Sequence, residues 1–242
     1  MRTTFHGQYL IQLTRFPRIF PVNCYFVKEE NGLTLIDTGI PGCEKEILNA
    51  ARDIGLPITR IVLTHAHYDH IGSLDALHAL LPAAEFLISA RDARFLSGDM
   101  SLDPDEPQTK LNGSYMKISS RPTRFITNGD QIGSLKVISS PGHTPGHIAL
   151  FDLRDNSLIA GDAFQTRAGL AVSGDLRPLF PFPAMATWNR SLALESARKL
   201  CDLNPSRLAV GHGNVLESPF VAIETAIANA EQAFQKIKSY GT

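Results

Sequence analysis

The heptapeptide THAHYDH, residues 64–70, places three histidines and one aspartate within a few positions of the chain. Such a stretch could be a polar surface loop, a buried hydrogen-bonded cluster or a metal site. Imidazole and carboxylate ligands without cysteine favour zinc, with iron and manganese as alternatives. His65 and His67 lie on one side of an extended segment, whereas Asp69 and His70 follow a bend. One loop could therefore contact two adjacent metal ions.

Three further segments carry histidine or aspartate beside glycine, and each follows a predicted strand. SSPGHTPGH contains His143 and His147, IAGDAF contains Asp162, and AVGHG contains His212. Zinc–nitrogen bonds of about 2.0–2.1 Å require a convergence of ligands that one short loop cannot fully supply. Strand ends of one sheet system can meet at a common edge, where glycine permits tight turns. We therefore expect these side chains to approach the THAHYDH loop.

Short apolar runs separated by turn residues predict the strands that position these groups. The predicted strands are YLIQL, VNCYFV, LTLID, ITRIVLT, EFLIS, SLKVISS, IALFD, SLIAG and RLAV. Asn31-Gly32 indicates a hairpin between the second and third of them. ITRIVLT is predicted to end at Thr64, immediately before the histidines. The strands come in runs with helices between the runs, which indicates mostly antiparallel sheets covered by helices rather than a simple parallel wound sheet.

Helices are predicted where apolar residues recur at helical spacing. The first carries Leu74, Leu77 and Leu81 on one face and ends at Pro82, and the second lies within TWNRSLALESARKLCDL. The last begins near Pro219, where proline suits a first turn. Its apolar positions are Ile223, Ile227, Ala230, Phe234 and Ile237.

Composition and charge are those of an ordinary globular protein. Of the 242 residues, 43% are hydrophobic and 19% are charged, and the formal net charge is −1. No basic excess favours nucleic acid, and no stretch approaches the roughly 20 apolar residues of a membrane span. The N-terminus lacks a signal-peptide pattern, and three widely spaced cysteines favour free thiols. We expect a cytoplasmic protein with a small-molecule substrate, and no feature of the sequence defines an oligomeric state.

Two segments outside these elements could shape a substrate pocket. Residues 98–124 are polar and interrupted by proline and glycine, which fits a lid or, as the favoured interpretation, a solvated connection. LFPFPAMATW, residues 179–188, is apolar and could form the wall of an apolar pocket or pack in the core at a helix entry. Phe164 and Gln165 are expected near the site because they follow Asp162.

The motifs THAHYDH, PGH, GD and GHG, in this order, resemble the motif set of the metallo-β-lactamase superfamily. LIDTG, with Asp37, resembles the early aspartate motif of that family. The resemblance extends from about residue 22 to the final helices. It implies an α/β (α+β) fold, a four-layer αββα sandwich built from two related halves, with residues 1–242 forming one domain. It also places the site along one edge of the facing sheets.

The resemblance implies a ligand set for two divalent metal ions, with zinc favoured and iron or manganese as alternatives. Metal one would be bound by His65, His67 and His143, metal two by Asp69, His70 and His212, and Asp162 would bridge them. Asp37 would orient the ligand loop without binding metal. His147 is predicted not to be a ligand, because the family places its ligand at the first histidine of such a segment.

The ligand set leads to a hydrolytic mechanism. Two divalent ions roughly 3.5–4 Å apart share a water and lower its pKa towards 7. The resulting hydroxide would attack a carbonyl or similar electrophile, while one ion polarises the carbonyl oxygen and the other holds the leaving group. Asp69 could also orient the nucleophile, so Asp69 and Asp162 are the predicted catalytic residues. The predicted reaction is cleavage of a small ester or lactone.

Three activities within the family remain open. Acyl-homoserine lactonases have similar motifs, but they place a tyrosine three residues after the bridging aspartate, where this chain has Gln165. Thioester hydrolases similar to glyoxalase II share the metal motifs, although the C-terminal EQAFQKIKSYGT lacks the Arg/Lys arrangement that holds glutathione. Persulfide dioxygenases, with one iron, carry Gly-Cys-Gly-Arg where this chain has AFQTRAGL. Antibiotic hydrolysis is not expected, because the main secreted zinc β-lactamases have a cysteine ligand in place of Asp162.

Overall fold

Two β-sheets pack face to face in the computed structural model, which describes the backbone of residues 1–240 and the side chains of residues 1–236. The first sheet contains, in spatial order, β1 (Arg2–His6), β2 (Leu10–Arg15), β3 (Val22–Glu29), β4 (Gly32–Ile36), β5 (Ile58–Val62), β6 (Glu85–Ser89) and β7 (Arg124–Ile126). The later strands are β8 (Gln131–Ile132), β9 (Leu135–Ser139), β10 (Ile148–Asp152), β11 (Ser157–Ile159), β12 (Phe164–Gln165), β13 (Ala171–Val172), β14 (Arg207–Ala209) and β15 (Leu216–Glu217). The second sheet has the order β15-β14-β11-β10-β9-β8, and β12 pairs with β13 in a small separate sheet.

Helices cover the outer face of each sheet. In the described part of the chain they are α1 (Glu44–Ile54), α2 (Tyr68–Ile71), α3 (Leu74–Leu80), α4 (Ala90–Leu96), α5 (Phe182–Ala186), α6 (Arg190–Cys201) and α7 (Phe220–Tyr240). The three predicted helices are confirmed as α3, α6 and α7, although the side chain of Ile237 lies outside the described residues. Across residues 1–240, no helix combines the length and apolar character that crossing a bilayer requires.

Three buried apolar clusters separate the four layers. Phe26 of β3 belongs to the same outer cluster as Ile47 of α1. The next residue, Val27, belongs to the central cluster with Leu150 of β10, between the two sheets. The opposite face of β10 shares the third cluster with Leu200 of α6. Successive side chains of a strand point to opposite faces, so these central strands are buried on both sides. The predicted αββα sandwich is confirmed.

Strand direction changes within each sheet. The pairs from β1 to β4 are antiparallel, and the predicted hairpin joins β3 to β4. From β4 to β7 neighbouring strands are parallel, as are β11 and β14. Antiparallel pairs predominate among the described strands, as predicted, whereas β4 to β7 are parallel because the helices between them return the chain to begin each following strand in the same direction. β5 ends at Val62, two residues before the predicted Thr64.

The connection formed by residues 98–123 is fixed to the body of the protein. Arg91 of α4 donates to Glu106 from Nε at 2.7 Å and from Nη2 at 2.8 Å. Farther along, Trp188 Nε1 donates to the carbonyl of Thr109 at 3.1 Å. These contacts fold part of the segment back onto the protein, while most of its residues stay exposed or half-exposed, as expected of a solvated connection. Its polar residues serve ion pairs and backbone hydrogen bonds rather than hydration alone.

One tyrosine connects the two sheets and allows the sandwich to be tested. The buried Tyr25 hydroxyl donates to the Val210 carbonyl at 2.7 Å and accepts from the Val210 amide at 3.1 Å. Tyr25→Phe removes this partner from both backbone groups, so the free energy of unfolding should fall by about 1–3 kcal/mol in urea denaturation. Tyr9→Phe is the control, because its ring stacks on Arg154 and is retained. Equal losses in the two variants would show that the cross-sheet bond adds nothing.

Candidate metal centre

The predicted site residues lie where strands of both sheets end at one edge. The loop after β5 of the first sheet carries His65, His67, Asp69 and His70. The second sheet contributes His143 between β9 and β10, Asp162 in a 3-10 turn after β11, and His212 after β14. All of these side chains are buried except Asp69, which is partly exposed. The structure therefore brings together every residue that the sequence analysis placed in the centre.

The possible ligand atoms form two groups with one carboxylate between them. Within each group the atoms lie within 4.8 Å of one another, and the groups are His65, His67 and His143, and Asp69, His70 and His212. One histidine from each group, His65 and His70, forms a third such set with Asp162. Asp162 Oδ2 is 3.4 Å from His143 Nε2, and Asp162 Oδ1 is 3.4 Å from His70 Nε2. These groups coincide with the two predicted ligand sets. The role of each residue as a ligand stays a prediction.

Three of the histidines are held by acceptors through the ring nitrogen that faces away from the cluster. The N–H groups donate from His67 Nε2 to the Asn112 carbonyl at 3.2 Å, from His70 Nδ1 to Asp37 at 2.8 Å, and from His212 Nδ1 to the Pro21 carbonyl at 2.7 Å. In the neutral ring the nitrogen that donates carries the single proton, so the other ring nitrogen presents its lone pair to the cluster. That is the form of histidine that binds metal.

A chain of hydroxyl groups holds His143 in the same way. Thr187 Oγ1 donates to the Pro183 carbonyl at 2.8 Å, so it accepts from Ser173 Oγ, which is also 2.8 Å away. The Ser173 oxygen is then the acceptor for His143 Nδ1 at 2.9 Å. His143 consequently offers the lone pair of Nε2. The order of donors is fixed by the backbone carbonyl at its end.

The geometry of Asp37 fits the orienting role that the family resemblance implies for it. Its carboxylate accepts from the Thr64 amide, from the Thr64 hydroxyl and from His70 Nδ1, each at 2.8 Å. Because the Thr64 hydroxyl donates to Asp37, its oxygen accepts from His65 Nδ1 at 3.0 Å. One carboxylate after β4 thus fixes the start of the histidine loop and two of its imidazoles.

His147 uses both of its ring nitrogens away from any metal position. Nδ1 donates to Ser140 Oγ at 2.9 Å, and Nε2 accepts from the backbone amide of Asp162 at 3.1 Å. No ring lone pair is then available for a metal ion. This geometry supports the prediction that His147 is not a ligand and gives it a different task, which is to position the backbone of Asp162.

The cluster contains polar atoms that fit a cation. His65 Nε2, His70 Nε2 and Asp162 Oδ1 are buried without a hydrogen-bond partner, which costs about 1–3 kcal/mol for each atom. His67 Nδ1 and His143 Nε2 face each other at 2.9 Å, although each carries a lone pair when its other nitrogen donates. Converging lone pairs and a carboxylate suit a divalent ion bound by nitrogen and oxygen, such as zinc, iron or manganese.

Electrostatics divides the histidines into two classes. Burial, reinforced by neighbouring imidazoles, lowers the pKa of His65, and burial lowers the pKa of His67 to about 4. Burial acts in the same direction on His212, but the Asp162 carboxylate outweighs it and raises that pKa to about 10. His70 has its pKa raised by the same carboxylate. A divalent ion would compete with these protons, because the carboxylate attracts both.

Asp92 of α4 is a structural member of the site that the sequence analysis missed. Its buried carboxylate accepts from the Ala66 amide at 2.9 Å, the Gly146 amide at 2.7 Å and the Thr144 hydroxyl at 2.7 Å. Burial raises the pKa of Asp92 to about 6, although these donors oppose the rise. The local signal is a helix start, in which Ser89 Oγ accepts from the Asp92 amide at 3.2 Å. That pattern indicates a capped helix and not a contact with distant loops.

A cavity of about 550 Å³ opens over the cluster. His67, Asp69, His143, Asp162 and His212 contribute to its polar lining. Its apolar lining includes Phe20, Ile40, Phe182, Pro183, Met185 and Ala186, with Tyr68 beside them. The segment of residues 179–188 therefore both borders the cavity and packs in the core, because Phe180 and Trp188 are buried.

Part of the connection after α4 covers this cavity. Gly113 and Ser114 line it, and a Cβ at Gly113 would lie 2.2 Å from His67 Nε2. Only glycine allows the backbone to approach His67 so closely. The close approach also places the Asn112 carbonyl where it receives the His67 proton.

Gln165 follows Asp162 closely in the chain, but its side chain does not face the cavity. Phe164 and Gln165 form β12, which pairs with β13, and both side chains are buried. Neither residue lines the cavity. The buried Gln165 side chain therefore does not take the substrate-contacting role that the tyrosine has in the lactonases.

Several proteins of known sequence are similar to this chain. The uncharacterized protein YobT of Bacillus subtilis (strain 168) is 52% identical over 91% of this chain and 95% of its own length. The probable metallo-hydrolase YflN of the same organism is 32% identical, with 79% of this chain and 80% of YflN aligned. Hydroxyacylglutathione hydrolase of Rhodospirillum rubrum is 29% identical over 81% of this chain and 63% of its length.

Solved structures share the fold at lower identity. DIM-1 metallo-β-lactamase, in a crystal exposed to ceftazidime, superposes with a TM-score of 0.72 at 15% identity and covers 96% of this chain and 97% of its own. TTHA1623, in a di-iron-bound form, superposes with a TM-score of 0.63 at 24% identity and covers 87% of this chain and 96% of its own.

The sequence family can be assigned directly. The metallo-β-lactamase superfamily model matches residues 17–212, which include every residue of the candidate centre. Together with the αββα layers and the edge position of the histidine–aspartate cluster, this match shows that the chain belongs to the metallo-β-lactamase superfamily.

Proposed function

We propose that the protein is a hydrolase with a dinuclear metal centre, zinc being the favoured metal, that cleaves a small uncharged ester or lactone. The observation that carries the proposal is the set of buried atoms without partners, His65 Nε2, His70 Nε2 and Asp162 Oδ1, next to a cavity. A stable protein rarely leaves such atoms unpaired unless an ion or water binds them. The name of YflN, a probable metallo-hydrolase, supports the same reaction class.

The proposed ligands follow the two groups of converging atoms. His65, His67 and His143 would hold one ion and Asp69, His70 and His212 the other, with Asp162 as a ligand shared between them. Two bound ions would supply a water of lowered pKa and polarise the scissile carbonyl. The protein contributes the fixed tautomers of five histidines, because each ring is held from outside by a carbonyl, a carboxylate or a hydroxyl.

Asp69 is proposed to orient the attacking water. It is the partly exposed member of the cluster and lines the cavity, with Oδ2 3.3 Å from His212 Nε2. Burial alone would raise the pKa of Asp69, but His70 and His212 outweigh it and hold the pKa below its ordinary value. A carboxylate of low pKa accepts hydrogen bonds without retaining a proton. We therefore assign Asp69 an orienting task rather than that of a proton store.

Hydrolysis of a thioester is the second candidate, supported by the similarity to a hydroxyacylglutathione hydrolase. Glutathione carries carboxylates, which proteins commonly hold with arginine or lysine. None of the described residues that line the cavity is a lysine or an arginine. The end of EQAFQKIKSYGT, beyond residue 236, lies outside the described side chains. The lack of lysine and arginine in this lining therefore favours an uncharged ester or lactone.

A panel of lactones and thioesters, tested with zinc- or manganese-loaded protein and with Asp162→Ala, distinguishes the candidate functions. Lactones should be hydrolysed, and the variant should lose at least about 100-fold in kcat/KM, because ligands and their supports commonly contribute this much. Metal analysis of the variant should find one ion or none. Thioester turnover without lactone turnover would favour the second candidate. A single bound iron and no hydrolysis would favour the oxidoreductase hypothesis.

Asp152→Ala is the matched control for this panel. Asp152 is also a buried carboxylate, but it pairs with Arg154 at 2.6 Å in the turn after β10. Its loss should lower stability and leave the metal content unchanged. If Asp162→Ala kept the full metal content and rate, the bridging role would be wrong.

Metal analysis also tests which histidine of PGHTPGH, His143 or His147, is a ligand. His147→Ala should retain both ions, since its nitrogens already bond to Ser140 and the Asp162 amide. Activity should fall by about 10- to 100-fold, because the support of Asp162 is lost. Metal content is measured by elemental analysis, with His78→Ala of α3 as control. Loss of one ion from His147→Ala would mean that the ligand was assigned to the wrong histidine.

A further inference from the structure

We propose that the mouth of the cavity, formed by Phe20, Phe182 and Met185, binds an apolar chain on an uncharged acyl substrate. This inference rests on the proposed hydrolysis and names the substrate class for it. The three side chains come from two segments far apart in sequence, the turn before β3 and helix α5. Neither segment supplies a candidate metal ligand.

The aromatic side chains at the mouth form one connected wall. Ring centroids are 5.1 Å apart for Phe20 and Phe180, 5.2 Å for Phe20 and Phe182, and 5.5 Å for Phe180 and Phe182. Phe20 also contacts the His212 ring, with centroids 5.3 Å apart. The wall therefore begins at a candidate metal ligand and leads outward. A substrate whose carbonyl lies at the centre would place its chain along these rings.

The outer part of the wall is unusually exposed for apolar side chains. Of the side chains that line the cavity, Phe182 is 54% exposed and Met185 67%; Leu179 and Ile19, next in the chain to Phe180 and Phe20, are 88% and 81% exposed. Contiguous exposed apolar side chains commonly indicate a binding surface. Because this surface continues from the cavity, the occupant that it fits is the apolar portion of the molecule bound in the cavity.

Charge excludes an anionic chain at this surface. The cavity lining contains aspartates and no lysine or arginine among the described residues. Apart from the proposed ligands, its polar side chains are the Tyr68 and Ser114 hydroxyls. At the mouth, away from the proposed metal ions, an anionic group would be desolvated without a lysine or arginine partner, which is costly. The preferred chain is therefore neutral and apolar.

A homologous series of p-nitrophenyl esters, from acetate to decanoate, tests this proposal on the metal-loaded protein. The value of kcat/KM should rise about 2- to 4-fold for each added methylene until the wall is covered, as the burial of one methylene predicts. Phe182→Ala and Met185→Ala should reduce the gain per methylene. Leu153→Ala, an exposed leucine after β10, is the matched control and should leave the gain unchanged.

The outcomes distinguish this proposal from the proposed function. Hydrolysis of all esters with no dependence on chain length would overturn the apolar site and leave the hydrolase intact. If no ester or lactone is hydrolysed, the proposed function fails, and calorimetric titration with 1-octanol decides the site by itself. Octanol binding that Phe182→Ala abolishes supports the site, and absence of binding overturns it.

A dimer that Phe182→Ala dissociates, with an unchanged chain-length dependence, would instead make this face an interface between copies.

A separate set of contacts supports a second inference: we infer that Asp92 is a positioning residue that fixes the spacing of two ligand loops. Its carboxylate accepts from the Ala66 amide, between His65 and His67, and from the Thr144 hydroxyl, directly after His143. These loops belong to different sheets. One buried carboxylate therefore determines how close the candidate ligands of metal one can come.

The packing around Asp92 leaves little freedom for this arrangement to change. Asp92 is fully buried, and a Cβ at Gly146 would lie 2.6 Å from Asp92 Oδ1. Ser89 Oγ donates to the Gly146 carbonyl at 2.6 Å, so the start of α4 holds the loop from both sides. Loss of the carboxylate would release both loops at their ligand-bearing residues.

Asp92→Asn tests this role because it replaces one acceptor oxygen with an NH2 group. That group would face the Ala66 amide, the Gly146 amide or the Thr144 hydroxyl, all of which are donors. Metal affinity, measured by competition with a chromophoric chelator, should fall by about 10- to 100-fold. The visible spectrum of the cobalt-substituted protein should shift. Thr144→Val removes one donor at nearly constant shape and should cause a smaller loss in the same direction. It keeps the test decisive if Asp92→Asn does not fold.

Asp152→Asn is the control, because this buried carboxylate is paired with Arg154 away from the ligand loops. It should lower thermal stability without changing metal affinity or the cobalt spectrum. If Asp92→Asn and Thr144→Val also lowered thermal stability without changing metal affinity or the cobalt spectrum, Asp92 would be merely structural and the inference would be wrong.

Discussion

The structure depends on placing seven histidine and aspartate side chains, all but Asp69 buried, in one small volume at the shared edge of two sheets. Burial is costly for such groups, because each polar atom needs a partner and each charge needs a counter-charge. Backbone carbonyls, hydroxyls and the carboxylate of Asp37 satisfy the outward-facing ring nitrogens, and Asp92 accepts from the backbone of the histidine loop. The inward-facing atoms are satisfied only in part by the chain itself. The fold acts as a framework that keeps the outward-facing ring nitrogens hydrogen-bonded. The inward-facing nitrogens and carboxylate oxygens are thereby left free to bind a metal ion.

Neither sheet could assemble this cluster alone. The first sheet supplies the histidine loop, and the second supplies the three strand ends that face it. Asn23 of β3 reinforces the join, since its Nδ2 donates to the carbonyls of Val210 and Gly213, each at 2.8 Å, on both sides of His212. The same contacts that attach one sheet to the other therefore place a candidate ligand. Stability of the sandwich and convergence of the site are consequences of one set of interactions.

Sequence reasoning succeeded where information is local and failed where it is distant. Histidine and aspartate beside glycine at strand ends indicated the cluster, and apolar runs indicated the layers. Asp92 could not be found in this way, because it accepts from residues 26 and 54 positions away in the chain. The burial of the Gln165 side chain could not be predicted, because nearness to Asp162 in sequence does not fix the direction of a side chain on the next strand. The parallel strands were missed because apolar runs do not encode the direction in which a strand is entered.

The anchors of the centre and the walls of the cavity differ in what they require of the sequence. His67 and His212 are held by the backbone carbonyls of Asn112 and Pro21, which many residues could supply. These anchors constrain the path of the chain more than its composition, which agrees with a fold shared at 15% identity. The cavity mouth is instead made of side chains, such as Phe182, on segments that carry no proposed ligand. Substitutions there can change the substrate while the metal centre stays intact, so relatives with the same cluster need not share a substrate.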